Sequence, residues 1–176
     1  MTPATPDELF ARLAALGIRA DTHRHEAVFT VAESRAIKAA IPGAHTKNLF
    51  LKDRKDRLFL VTARDETKVD LKRLHEALGA SGRLSFGSAD LLRAALGVEP
   101  GSVTPLAVVN DRERRVGVIL DASLMAFERI NVHPLVNTMT TGLHRDDLVA
   151  FLTEAGHPPR VLSLPEPPPE TARDES

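Results

Sequence analysis

Apolar and polar positions along this chain follow two periods, and the changes of period mark the predicted elements. Leu9, Leu13 and Leu16 recur at helical spacing behind Thr5-Pro6-Asp7-Glu8. Thr5 suits the N-cap, Pro6 the first helical position and Glu8 the closing member of a capping box, with Gly17 as the stop. Residues 19–25 suggest a strand, and 30–40 a short helix ended by Ile41-Pro42-Gly43. A strand over 46–52 then pairs with one over 58–63 across the charged turn Asp53-Arg54-Lys55-Asp56. Asp70 is the expected cap of a helix carrying Leu71, Leu74 and Leu78 on one face and ending at Gly79. A short strand follows over 82–86, then a helix capped by Ser88 that stops at Gly97.

Residues 100–105 form a loop by composition. Apolar runs at 106–110 and 116–121 predict two strands joined by Asp111-Arg112-Glu113-Arg114. Strands are also expected at 127–133 and 137–140, around a break at Pro134. A last helix places Leu148, Phe151, Leu152 and Ala155 on one face, and 156–164 is an irregular exit. No internal repeat is visible. Two strand-rich blocks with helices between and after them predict an α+β domain with a mixed, curved or barrel-like central β-sheet and flanking helices. That domain covers 1–164. Residues 165–176, rich in proline and acid, are expected to be a disordered tail.

Lys47 stands out from this pattern. In Thr46-Lys47-Asn48-Leu49-Phe50-Leu51 it shares a strand face with Leu49 and Leu51. An ammonium at the mouth of an apolar face needs a partner or an anionic ligand, unless its stem snorkels to water. Lys47 is the one strand charge without an obvious structural partner.

Composition narrows the class. The chain has 176 residues, 43% of them hydrophobic, enough for a sizeable core in one domain. It has no Cys, which excludes a disulfide framework, a cysteine nucleophile and a thiolate zinc site. No apolar run approaches a membrane span, and the first ten residues lack a basic start and an apolar stretch, so a cytoplasmic protein is expected. The formal net charge is −1, but Glu166, Glu170, Asp174 and Glu175 crowd the tail, so the body is mildly basic. That is far from the signature of a strong nucleic-acid binder, and no DNA partner is expected.

Common catalytic motifs are absent: no Gly-rich phosphate loop, no dinucleotide fingerprint, no G-x-S-x-G elbow, no second His one turn after His75-Glu76. His23 and His25 could share a strand face with His45 nearby. With no third ligand specified they read as surface or edge histidines, and no metal or cofactor is expected.

Three sparse elements remain: Thr46-Lys47-Asn48, Gly101-Ser102-Val103-Thr104-Pro105, and Asn131-Val132-His133-Pro134-Leu135-Val136-Asn137. In order and spacing they resemble the prolyl-tRNA editing (YbaK/ProX) family of aminoacyl-tRNA deacylases. The H-P-x-x-N segment is similar to its free-standing alanyl-tRNA(Pro) branch, and the resemblance runs from about Thr5 to Leu164. Singly, Gly101 is a turn glycine, His133 a sheet histidine and Asn137 a turn former; it is their joint order that carries the likeness. The resemblance implies a barrel-like mixed sheet and hydrolysis of the ester between alanine and the terminal ribose of proline tRNA. It implies as partners the acceptor end of tRNA(Pro) and prolyl-tRNA synthetase. It gives Lys47 a place at the pocket entrance, contacting the substrate carbonyl or terminal phosphate. Gly101 and Ser102 would offer backbone N–H groups to the oxyanion, and Pro105 would stiffen their loop. His133 and Asn137 would hold the amino group or a water, with Asn48 and Thr104 also among the substrate-binding positions. Val31 and Ser34 would form a small-residue wall. Deacylation of another mischarged tRNA (cysteinyl or seryl), or a non-catalytic tRNA- or synthetase-binding module, are the alternatives. An activated ester needs only a placed water and a stabilised oxyanion, and the neighbouring ribose hydroxyl can help orient that water.

Overall fold

A computed structural model describes residues 2–28 and 30–169. Helix α1 (Pro6–Ala15) begins as its sequence dictates: the Thr5 hydroxyl accepts from the Glu8 N–H at 3.2 Å, and Leu9 and Leu13 are buried. Leu16, the third residue of the predicted stripe, lies past the last turn and is exposed. Strand β1 (Asp21–Arg24) leads to α2 (Val31–Ala40), capped by Thr30, which buries none of its side chains fully. Strands β2 (Ala44–Lys52) and β3 (Leu58–Arg64) form the expected antiparallel pair, with Lys47 opposite Ala63. The turn between them is built on Asp53. Its carboxylate accepts from the N–H groups of Lys55, Arg57 and Ser81 and from Arg57 Nε.

Helix α3 (Leu74–Leu78), strand β4 (Ser85–Phe86) and helix α4 (Ala89–Leu96) follow. Then come β5 (Val116–Asp121), β6 (Arg129–Val132), β7 (Met139–His144), α5 (Arg145–Glu154) and β8 (Arg160–Leu162). The sheet order is β1-β7-β6-β2-β3-β5-β8, with β4 also on β2. It is mixed: β2 runs parallel to β6, and β5 parallel to both β3 and β8, while the other pairs are antiparallel. The α+β class is as expected, but the sheet stays open, with β1 and β8 at its ends rather than paired to each other.

Burial on both faces of β3 follows from its unbroken apolar run. Phe50, Leu58 and Leu60 join Leu96, Leu106, Ile130 and Phe151 in the larger core, while Leu51, Phe59 and Val61 meet Leu74, Leu78 and Ile119 on the other face. Among the described residues no helix is long and apolar enough to cross a membrane.

Four expectations are corrected. Residues 106–110 are not a strand but part of a 3-10 turn, Pro105–Asn110. Pro105 at its start and the Thr104 hydroxyl accepting from the Leu106 N–H set that geometry, and a short buried run has no period that separates the two. The helix expected from Asp70 is only Leu74–Leu78, because the Asp70 carboxylate turns back to the Lys72 N–H and leaves Leu71 exposed. The seventh strand extends to His144 instead of ending at Thr140. The exit contains β8, an edge strand too short to show a period. Of the segment expected to be a tail, Pro165 accepts from the Asp70 N–H at 2.7 Å, and residues 170–176 lie outside the described residues.

Candidate functional site

Strand β2 changes neighbours along its length. On the side away from β3 it pairs with β6 at Ala44 and His45 and with β4 at Leu51 and Lys52. Between those contacts, Thr46 to Phe50 have no strand beside them, and the sheet splits. Side chains bridge the split: Thr46 Oγ1 donates to the Asn131 carbonyl at 2.8 Å, and Asn48 Nδ2 donates to the Val103 carbonyl at 3.0 Å. The Asn48 oxygen accepts from the Thr62 hydroxyl at 2.6 Å, so the amide is fixed at both ends.

A cavity of about 310 Å³ opens beside the split, between α2, the first half of β2 and the β6–β7 connection. Three of the sequence-predicted residues line it together: Ser34, Lys47 and His133. Val28, Ile37 and Val132 supply apolar wall. Lys38 on α2 and Asp65 after β3 also line it and pair with each other at 2.7 Å. His45 donates Nε2–H to the Ile41 carbonyl at 2.9 Å, tying the end of α2 to β2.

Lys47 is not the unpartnered cation that its sequence context suggested. Its Nζ donates to the carbonyl of Thr67, in the turn that follows β3. An ammonium carries three donors, so two remain for a ligand. His133 is largely buried. Burial lowers its pKa below the ordinary 6.5; the contact with the Met139 carbonyl works against that, and His25 nearby adds to it. Because a carbonyl only accepts, His133 Nδ1 carries a proton toward Met139 at 3.1 Å, and Nε2 is left as an acceptor.

The Gly101 loop forms a second cluster. Gly101 has φ +89°, and the position a Cβ would take is 3.6 Å from Asn137 Nδ2, so glycine is required here by conformation rather than by crowding. Asn137 and Gly101 are therefore neighbours, but neither lines the cavity, and nor do Asn48, Ser102, Thr104 or Pro105. The Ser102 N–H donates to the Glu99 carbonyl at 3.0 Å, which engages a donor expected for the oxyanion. Two seams join the clusters: the adjacent pair Lys47 and Asn48, and the connection from His133 to Asn137, where Leu135 holds a left-handed φ of 71°. Val31 is 72% exposed in the first turn of α2 and does not reach the cavity; Ile37, two turns on, does. His23 is exposed on β1 while His25 and His45 line the cavity, and among the described residues no three His or acidic side chains converge as a metal would need.

A family model described as an aminoacyl-tRNA editing domain matches residues 25–151, a span that contains both clusters. The chain belongs to the aminoacyl-tRNA editing domain family. Within that family it is 40% identical over 159 residues to prolyl-tRNA synthetase associated domain-containing protein 1 of Danio rerio, covering 89% of this chain and 86% of the relative. It is 34% identical over 157 residues to the prolyl-tRNA editing protein ProX of Acetoanaerobium sticklandii, covering 89% and 95%. The fold is shared with a solved structure of a candidate trans-editing enzyme for prolyl tRNA synthetase, with a TM-score of 0.67 at 15% identity over 93% of this chain and all of that one. What the sequence did not reveal in this editing domain is the cavity wall of Val28 and Ile37, the Lys38–Asp65 pair and the Thr67 carbonyl. Only Ile37 carried a signal, since it falls one turn after Ser34 on the same stripe of α2.

Proposed function

We propose that this chain is a deacylase that frees alanine from mischarged proline tRNA, acting on the acceptor end in the cytoplasm alongside prolyl-tRNA synthetase. The observation that carries the reading is the meeting of Lys47 and His133 in one small, partly apolar cavity. The chemistry it supports needs no protein nucleophile. The remaining Lys47 donors face the ester carbonyl and stabilise negative charge as it develops there. His133 Nε2 accepts a proton from the attacking water. The water oxygen bonds to the carbonyl carbon, the bond from that carbon to the ribose oxygen breaks, and the proton returns from His133 to the departing ribose.

The alanine methyl sits against Val28, Ile37 and Val132, in the role the sequence suggested for Val31. Gly101 and Asn137 lie along the second seam, where the terminal nucleotide would leave the cavity, with Asn48 fixing the loop, Thr104 and Pro105 shaping it, and Ser102 supporting it from within. Residues 1–164 are the editing unit and 165–176 lie outside it. Relatives named for a synthetase-associated domain motivate a second reading, a binding module without turnover. Incubation of the purified protein with alanine-charged tRNA(Pro) tests both: release of alanine supports the deacylase, and binding without release supports the module.

A further inference from the structure

Asp121 is a buried carboxylate, 3% exposed, at the junction of β5 and the turn that follows. Among the described residues no Lys, Arg or His pairs with it. It is satisfied by neutral donors instead: Ser123 N–H at 3.1 Å and Ser123 Oγ at 2.8 Å, Thr67 Oγ1 at 2.9 Å, and the Arg64 N–H at 3.3 Å. Burying an unpaired carboxylate is costly unless its hydrogen bonds are complete. Capping the turn after β5 uses Ser123 alone. The bonds to Thr67 and Arg64 do something else: they hold the turn that follows β3. That turn is closed by Thr67 N–H donating to the Arg64 carbonyl at 2.9 Å, so both ends of its hydrogen bond belong to residues that also donate to Asp121. The carbonyl it presents is the one that receives Lys47 Nζ.

We infer that Asp121 and Thr67 are positioning residues for Lys47. The carboxylate fixes the Thr67 hydroxyl, the hydroxyl fixes the peptide unit, and the carbonyl of that unit takes one of the three Lys47 donors. The ammonium is thereby held at one place on the cavity wall, with its other two donors directed by the first. Without this anchor the four-carbon stem samples several rotamers and the charge moves relative to a bound ester. Thr67 does not line the cavity, and its backbone carbonyl survives any side-chain substitution, so its hydroxyl can be tested by itself. The inference rests on the deacylase reading for its kinetic consequence but not for its structural one.

The test uses Thr67→Val, which removes the hydroxyl, and Thr67→Ser, which keeps it. In the full chain, Thr67→Val lowers kcat for alanine-charged tRNA(Pro) by about 10- to 100-fold with little change in KM, a loss of the size that misplacing a catalytic group produces. Thr67→Ser restores turnover. In a Lys47→Ala background Thr67→Val adds no further loss, because the group it positions is gone. An independent readout needs no activity. Labelling with an amine-acylating reagent, followed residue by residue by mass spectrometry, finds Lys47 reacting faster relative to Lys55, exposed in the distant β2–β3 turn, in Thr67→Val than in the wild type. Asp121→Asn gives the same direction in both readouts. Equal losses from Thr67→Val with and without Lys47, or an unchanged labelling ratio, overturn the inference. If Lys47→Ala alone leaves turnover intact, the catalytic role of Lys47 falls, while the labelling ratio still decides whether Thr67 holds it.

Discussion

His133 donates its Nδ1–H to the carbonyl of Met139 at 3.1 Å, six residues on, across the turn that leads from β6 to β7. That contact fixes the tautomer and presents Nε2 as an acceptor in the wall of the cavity. Burial, the main cause of its lowered pKa, keeps the ring neutral at physiological pH, with His25 acting in the same direction.

The pH dependence of turnover follows. A group with a folded pKa below the ordinary 6.5 is neutral through the neutral range and gains its proton only as pH falls below it. We expect kcat/KM to be flat above pH 6.5 and to decline on the acid side with an apparent pKa below that value. His133→Gln should abolish that limb. An acid limb that persists unchanged in His133→Gln would assign the titration to another group.

Lys47→Ala should leave the fold standing and remove most of the activity. The side chain is only partly buried and gives up one hydrogen bond to Thr67, whereas loss of a donor aimed at a developing oxyanion costs about 10²- to 10³-fold in kcat. Circular dichroism and deacylation of alanine-charged tRNA on the same preparation check both halves. Turnover within a few-fold of wild type would remove Lys47 from the mechanism.

Selectivity should reside in Ile37. Val28, Ile37 and Val132 form the apolar wall of the cavity, and we expect contact with Ile37, rather than total volume, to favour the alanine methyl over the ring of proline. Ile37→Ala removes that contact, and apolar contacts of this size discriminate by about 10- to 200-fold. Hydrolysis of proline-charged tRNA should therefore rise relative to alanine-charged tRNA in this variant, whereas Val31→Ala, at an exposed position, should leave the ratio unchanged. The opposite ranking would place the wall at the first turn of α2.

Acid stability should depend on Asp53. Burial of the carboxylate pushes its pKa up, but the N–H groups of Ser81, Arg57 and Lys55 and the Arg57 side chain outweigh it and bring the value down to about 2. Its folded pKa thus lies below the ordinary 3.8, so its contribution is complete above that value and is lost as pH falls toward 2. Urea denaturation should show a drop in stability over this window that is smaller in Asp53→Asn, itself less stable than wild type at pH 7. An identical drop in the variant would move the acid sensitivity elsewhere.

Much of the fold was legible because its elements carry local signals. Thr5 and Ser88 cap their helices as expected, Thr30 caps the helix expected over 30–40, and the period-2 run around Leu49 and Leu51 marks β2. The site was legible only in part. Lys47 and His133 declared themselves by motif, but their meeting depends on β2 pairing with β6 over just two residues, a tertiary fact with no local trace. Thr67 and Asp121 lie 54 positions apart and share a hydrogen bond that neither neighbourhood announces. The 3-10 turn after Thr104 was hidden because a short buried run looks the same in a strand and in a tight helix.

Selective deacylation is tested most directly by hydrolysis of alanine-charged and proline-charged forms of one tRNA(Pro) by the purified wild-type chain, side by side. Release of alanine well above the spontaneous rate and near-background release of proline are expected. Equal rates for the two would contradict the size-selective cavity, and no release of alanine while the tRNA is bound would contradict the deacylase itself.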